Sequence, residues 1–160
     1  HDEIDDPLKS AKVLQAHVDE GLKFARKNRL PKPIANFIPE HQGTLKMGYF
    51  LNKAEEKKLN FNESDFRYKG PIPQSKETAI LMLADGCEAA LRAMDINASD
   101  YEALETISKI FNSRIVDGQL NDSNLSKGEI FLIKKSFLNV WKRIRHRRIQ
   151  YPTTKNNTFS

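Results

Sequence analysis

The side chains able to carry chemistry in this sequence are few and lie far apart. His17 falls in a segment whose apolar stripe includes Leu14 and Val18, and His41 follows Phe37 by about one helical turn. Both can face the core side of their helices. Asp85 sits inside the apolar run Ala79 to Ala90, flanked by Ala84 and Gly86. A carboxylate in such surroundings needs a partner, because an isolated buried charge is strongly disfavoured. Two readings stand. Asp85 is a structural residue bonded to a cap or an arginine, and the histidines are satisfied core residues. Alternatively, His17, His41 and Asp85 converge from three helices on a metal. Imidazole nitrogen and carboxylate oxygen suit iron, manganese or zinc. Each ligand would then need an outer hydrogen-bonding partner, for which Glu40 and Glu88 are candidates. Three ligands on separate helices make no local motif comparable to HExxH.

Two basic residues flank this set. Lys76 opens the helix that carries Asp85, where a positive charge opposes the helix dipole. It is either a solvated lysine or a residue facing an anion. Arg92 lies seven residues after Asp85 and shares its face with Glu88. It either pairs with Glu88 or holds a phosphate with two parallel bonds. The cluster Lys142, Arg143, Arg145, His146, Arg147 and Arg148 ends the last helix, where the dipole favours positive charge. A solvated face explains it better than nucleic-acid binding, since no aromatic ladder is interleaved; an anionic membrane surface is the other reading. Cys87 has no catalytic histidine fixed by spacing and reads as a small buried hydrophobe.

Helices must position these groups. Asp6 and Pro7 make an N-cap and a first-turn proline. Leu8, Ala11, Leu14, Val18, Leu22 and Ala25 then recur at helical steps to about Lys27. Pro31 and Pro33 restart the chain into a short helix with Ile34, Phe37, Ile38 and His41 on one face, stopped by Gly43. Thr44 is placed to cap a third helix with the stripe Met47, Phe50, Leu51, Ala54. Residues 60–74 read as a loop, whose aromatics Phe66 and Tyr68 either pack it down or line a cleft. Ser75 caps a helix over 76–94 that is apolar all round, and therefore central and buried. Ser99 with Glu102 and Ser126 with Glu129 are capping boxes that open the last two helices, to about Val116 and Arg148. The reading is an all-α bundle of five or six helices with essentially no sheet.

Composition narrows the class further. The chain has 160 residues, of which 39% are hydrophobic and 29% charged, as expected of one soluble domain. No stretch approaches the roughly twenty apolar residues of a membrane span. The polar opening, His1 to Asp6, is no signal peptide, and the sequence reads as part of a longer protein. One cysteine excludes a disulfide framework and a zinc–thiolate site and suits a reducing compartment. A net charge of +5, from 26 basic and 21 acidic residues, permits an anionic partner without identifying it.

Several phrases resemble one family: HVDEG (His17 to Gly21), FIPEHQGT (Phe37 to Thr44), Tyr49-Phe50, FRYKGPIPQSKETAILMLADGCEAALR (Phe66 to Arg92) and HRRIQYP (His146 to Pro152). They are similar, in order and over nearly the whole chain, to the bacterial seven-transmembrane receptors with a cytoplasmic HD phosphohydrolase domain. The resemblance implies an HD-domain-like helical bundle over residues 1–152, lacking the N-terminal helices of the full domain; the polar stretch at 153–160 reads, from its own composition, as a disordered tail. It implies a site for two metals, usually iron or manganese, that hydrolyses cyclic di-AMP to the linear dinucleotide. Position by position, His17 matches a ligand histidine, His41 the first histidine of a His-His-Gly phrase, and Asp85 the closing aspartate. Lys76 and Arg92 match basic positions that contact substrate phosphates.

The sequence departs from the family in three places. The His-Asp motif with its following Gly-Lys is absent, and His1-Asp2 resembles a different family segment, so neither is assigned as a ligand. Gln42 replaces the second paired histidine, and an amide is a poor ligand, which puts the second metal in question. Lys69 replaces a loop proline. The expectation is therefore a metal-dependent phosphodiesterase domain, cytoplasmic, attached to upstream transmembrane and sensor regions of an inner-membrane protein, and poorly active by itself. It takes a cyclic dinucleotide and no nucleic-acid polymer. The alternative expectations are a degenerate HD domain that binds a nucleotide and signals without catalysis, and a plain helical interaction module.

Overall fold

A computed structural model describes residues 6–150. The expected tail at 153–160 and the His1-Asp2 pair lie outside the described residues. Among those described, the secondary structure is helical, with one isolated antiparallel bridge between Lys46 and Arg67 and no strand.

Helix α1, Pro7–Lys27, starts as its sequence dictates: the Asp6 carboxylate accepts from the backbone N–H groups of Leu8 and Lys9. The single short helix expected next is split into α2, Lys32–Ala35, and α3, Phe37–Glu40. Pro39 has no N–H to return to the Ala35 carbonyl, so one continuous helix cannot form there. Gly43 ends the segment at φ +51°, a conformation that costs a side-chain-bearing residue energy.

Helix α4, Gly48–Glu56, begins later than Thr44 would have it, behind Met47, which makes no side-chain cap. Thr44 is not a cap, because its backbone and hydroxyl are taken by a side chain from elsewhere in the fold, described below. A 3-10 turn at Glu63–Phe66, closed by the Asn62–Asp65 capping box, organises the loop that the sequence left irregular. Helix α5, Lys76–Arg92, is capped by Ser75; α6, Asp100–Val116, by Ser99; and α7, Lys127–Gln150, by a reciprocal Ser126–Glu129 box.

The apolar faces make two cores. In one, α1 packs on α4 and the 3-10 turn around Ala11, Met47, Ala54 and the fully buried Phe66. In the other, α5 and α6 pack with α7 around Ala79, Leu83, Ile107 and Phe111. Helix α3 bridges the two, touching α1 on one side and α5 on the other. The expectation that α5 is apolar all round and central is corrected. Its buried residues fall on one side, whereas Leu81 is 40% exposed and Asp85 is exposed.

Candidate functional site

The segment that follows α3 is fixed at both ends. At its start, Glu40 is 5% exposed and its carboxylate accepts from the Gln74 backbone N–H at 2.8 Å and the Thr78 hydroxyl at 2.9 Å. That ties α3 to the first turn of α5. At its end, Thr44 meets Gln119, which is fully buried. The Gln119 Oε1 accepts from the Thr44 N–H at 3.1 Å, and its Nε2 donates to Thr44 Oγ1 at 2.9 Å. The same amide donates to Asp117 at 2.9 Å. Asp117 in turn receives two bonds from the Arg67 guanidinium, at 3.0 and 2.9 Å, and Arg67 also donates to the Thr44 carbonyl at 2.8 Å. The bonds from Arg67 hold the Asp117 carboxyl below the usual carboxylate range. A Cβ on Gly43 would fall 2.6 Å from Gln119 Oε1 and 2.7 Å from Met82 Cε, so a side chain at that position has no room.

His41 stands between these anchors, half-buried. Its Nδ1 lies 2.6 Å from the carbonyl oxygen of Phe37. A carbonyl can only accept, so Nδ1 donates to it, and Nε2 takes no part in this bond. In metal sites a bond of this kind orients the ligating imidazole. The carbonyl, rather than Glu40 or Glu88, supplies it: Glu40 serves α5, and Glu88 pairs with Arg92.

His17 comes from α1. One turn beyond it, Gly21 lets α1 approach α3, since a Cβ there would lie 3.1 Å from Ile38 Cγ2. Ile38 is three residues before His41. His17 is exposed, which corrects the expectation that it faces the core.

Asp85 is also exposed rather than buried, two helical turns beyond Thr78, a rise of about 10 Å. Its neighbours explain how a charge sits among alanines. Burial pushes the Tyr68 hydroxyl up, and the nearby Asp85 charge adds to the effect. Arg114 lies close to the next residue, since its guanidinium would meet a Cβ of Gly86 at 2.9 Å. Burial lowers the Arg114 value, and the nearby carboxylates of Asp117 and Asp85 oppose that.

Lys76 donates to Glu129 at 2.8 Å, so the first turn of α5 is tied to α7. Arg92 lies 3.5 Å from Glu88, with both side chains well exposed. Gln42 is half-buried in the turn. Beside Asp85 on α5, Ala84 opens onto a groove of about 600 Å³ between α5 and α7, walled by Leu91, Phe137 and Trp141 and edged by Arg92, Arg145 and Arg148.

The donor chemistry at His41, His17 and Asp85 fits part of a transition-metal shell. Among the described residues, however, no three His, Cys, Asp or Glu side chains come together closely enough to hold an ion. Sequence reasoning missed Arg67, Gln119 and Arg114. Only the Gly118 turn signal and the small residue at Gly86 hinted that something packs closely there.

No protein-family profile matches the chain. It is 46% identical over 157 residues to an uncharacterised protein of Synechocystis sp.. It is 34% and 35% identical to the cyclic-di-AMP phosphodiesterases PgpH of Listeria monocytogenes and Bacillus subtilis, over 98% and 95% of its own length. It spans about a fifth of the length of each of these relatives. The fold is similar to the crystal structure of the L. monocytogenes PgpH HD domain in complex with cyclic-di-AMP, with a TM-score of 0.84 and 32% identity. That match covers 90% of this chain and 66% of the crystallised one. A second structure of that HD domain gives 0.81 and 31% over the same shares. A chain whose described residues are helical, and which matches this HD domain over 90% of its length at 32% identity, belongs to the HD-domain family of the PgpH type.

Proposed function

We infer that the chain is the C-terminal larger part of a metal-dependent HD phosphodiesterase domain that cleaves a cyclic dinucleotide, cyclic di-AMP. The observation that carries this reading is the His41 imidazole, whose Nδ1 donates to the Phe37 carbonyl and whose Nε2 takes no part in that bond. In this reading His17, His41 and Asp85 are metal ligands, and further ligands come from residues outside this chain. A bound iron or manganese would acidify a water and offset charge on a phosphate. Arg92 is placed to leave its loose, exposed pairing with Glu88 for a phosphate. Lys76, held by Glu129, sets the field at the entrance to α5 and reaches a substrate phosphate only by leaving that pair. Gln42 is a weak donor, which leaves the second metal dependent on other groups.

Among the described residues no helix is long and apolar enough to cross a membrane. In this reading the part lies in the cytoplasm and is attached to transmembrane and sensor regions, as the resemblance to the receptor family implies. The test is hydrolysis of cyclic di-AMP by the full-length protein supplied with Mn²⁺. Loss of turnover by more than a hundredfold in His41→Ala and Asp85→Asn supports the reading. Wild-type turnover in either variant overturns it.

Gln42 favours a second reading, a degenerate domain that binds the nucleotide and signals without cleaving it. Tight cyclic di-AMP binding with no turnover in the metal-loaded wild-type protein would select that alternative.

A further inference from the structure

We propose that Gln119 is a positioning residue for the candidate site, acting through Thr44 to fix the turn that carries His41 and Gln42. This rests on the reading of His41 as a metal ligand. Only Gln42 and Gly43 separate His41 from Thr44. The Gln119 amide grips Thr44 twice, at the backbone N–H and at the hydroxyl, in the manner of a neighbouring strand. It does so from full burial, where its bonds exchange little with water. Its own orientation is not free to invert, because Nε2 must face the Asp117 carboxylate and Oε1 must face an N–H. Asp117 is locked in turn by the paired bonds of Arg67. The amide also fills the space a side chain at position 43 would need, so the turn has one path.

A side chain that merely filled the core would make none of these directional bonds. The turn formed by residues 117–119, at the end of α6, thus sets where the imidazole and the amide of position 42 can point. Losing such an outer contact typically weakens metal affinity by about tenfold to a hundredfold.

The experiment measures Mn²⁺ affinity of the full-length protein by calorimetry, with thermal melting of the metal-free protein alongside. Gln119→Leu, which keeps the volume and loses every bond, is expected to bind Mn²⁺ at least about tenfold more weakly. Thr44→Val, which loses only the hydroxyl, is expected to lose several-fold, while Thr44→Ser restores wild-type affinity. If Gln119→Leu does not fold, the Thr44 pair decides alone. Wild-type affinity in Thr44→Val and in any folded Gln119→Leu overturns the proposal, provided His41→Ala weakens binding. Unchanged affinity in His41→Ala instead removes the metal reading on which it rests.

Discussion

The turn after His41 and the face of α5 around Asp85 differ in how much of their surroundings this chain supplies. Around the turn, every anchor is present: Glu40 on one side, Gln119 and Arg67 on the other, and Met82 beneath Gly43. Around Asp85, the neighbours are partial. Tyr68 and Arg114 lie near enough to feel its charge, yet Leu81, one turn earlier on the same helix, is 40% exposed. The first region is a finished piece of structure in which stability and geometry are coupled. The second is a surface whose residues contribute little to folding and are available for binding. The same chain therefore carries one half of the candidate site as core and the other half as an open face.

Substitutions can break this contrast. The largest effect is expected from Glu40→Ala, which strands the Gln74 N–H and the Thr78 hydroxyl; denaturant unfolding should show a loss of roughly 3 kcal/mol. Gly43→Ala should follow, at about 2 kcal/mol, from backbone strain and contact with Gln119. On the open face, Leu81→Ala and Asp85→Asn should stay within about 0.5 kcal/mol of wild type in the same measurement. A loss at Asp85 comparable to that at Glu40 would erase the distinction between the two regions.

Two pH experiments sharpen it. Burial pushes the Cys87 thiol up to about 12. The unfolded chain gives up this proton at lower pH than the folded one, so the contribution fades as pH rises from 9.0 toward about 12. Alkaline destabilisation should be smaller in Cys87→Ala than in wild type, and iodoacetamide at pH 8 should label Cys87 only after unfolding. The smallest effect concerns Lys76. Its bond draws the Glu129 carboxyl down to about 2, from an ordinary value of 4.5. A lowered acid stabilises above its unfolded value and loses that contribution as pH falls toward 2. The stability difference between wild type and Lys76→Met should be small at pH 7 and absent in strong acid.

Much of the architecture was legible because it rests on local rules. Asp6, Ser75, Ser99 and Ser126 cap helices through bonds to backbone two or three residues away, and such bonds are written in adjacent letters. The family phrases also led to the right fold. The failures share one cause. Thr44 looks like a cap until Gln119, 75 residues later in the chain, claims it. Asp85 looks buried because its neighbours in sequence are apolar, whereas its exposure depends on which side of α5 meets α6. The periodicity of a run of alanines and leucines does not single out that side. Arg67 and Asp117 pair across 50 residues, a distance at which spacing carries no signal.

The contact between Gly86 and Arg114 has a practical corollary for anyone scanning this chain. Gly86 touches no reacting group, and it has no side chain to remove. Yet a methyl there must displace a guanidinium whose Nε is already sealed from water without a partner. The guanidinium belongs to α6, and Gly86 itself sits beside Asp85 on α5, so the two helices are forced apart next to that carboxylate. A saturation screen will thus score this silent residue as if it were chemical, through a dent rather than a lost bond.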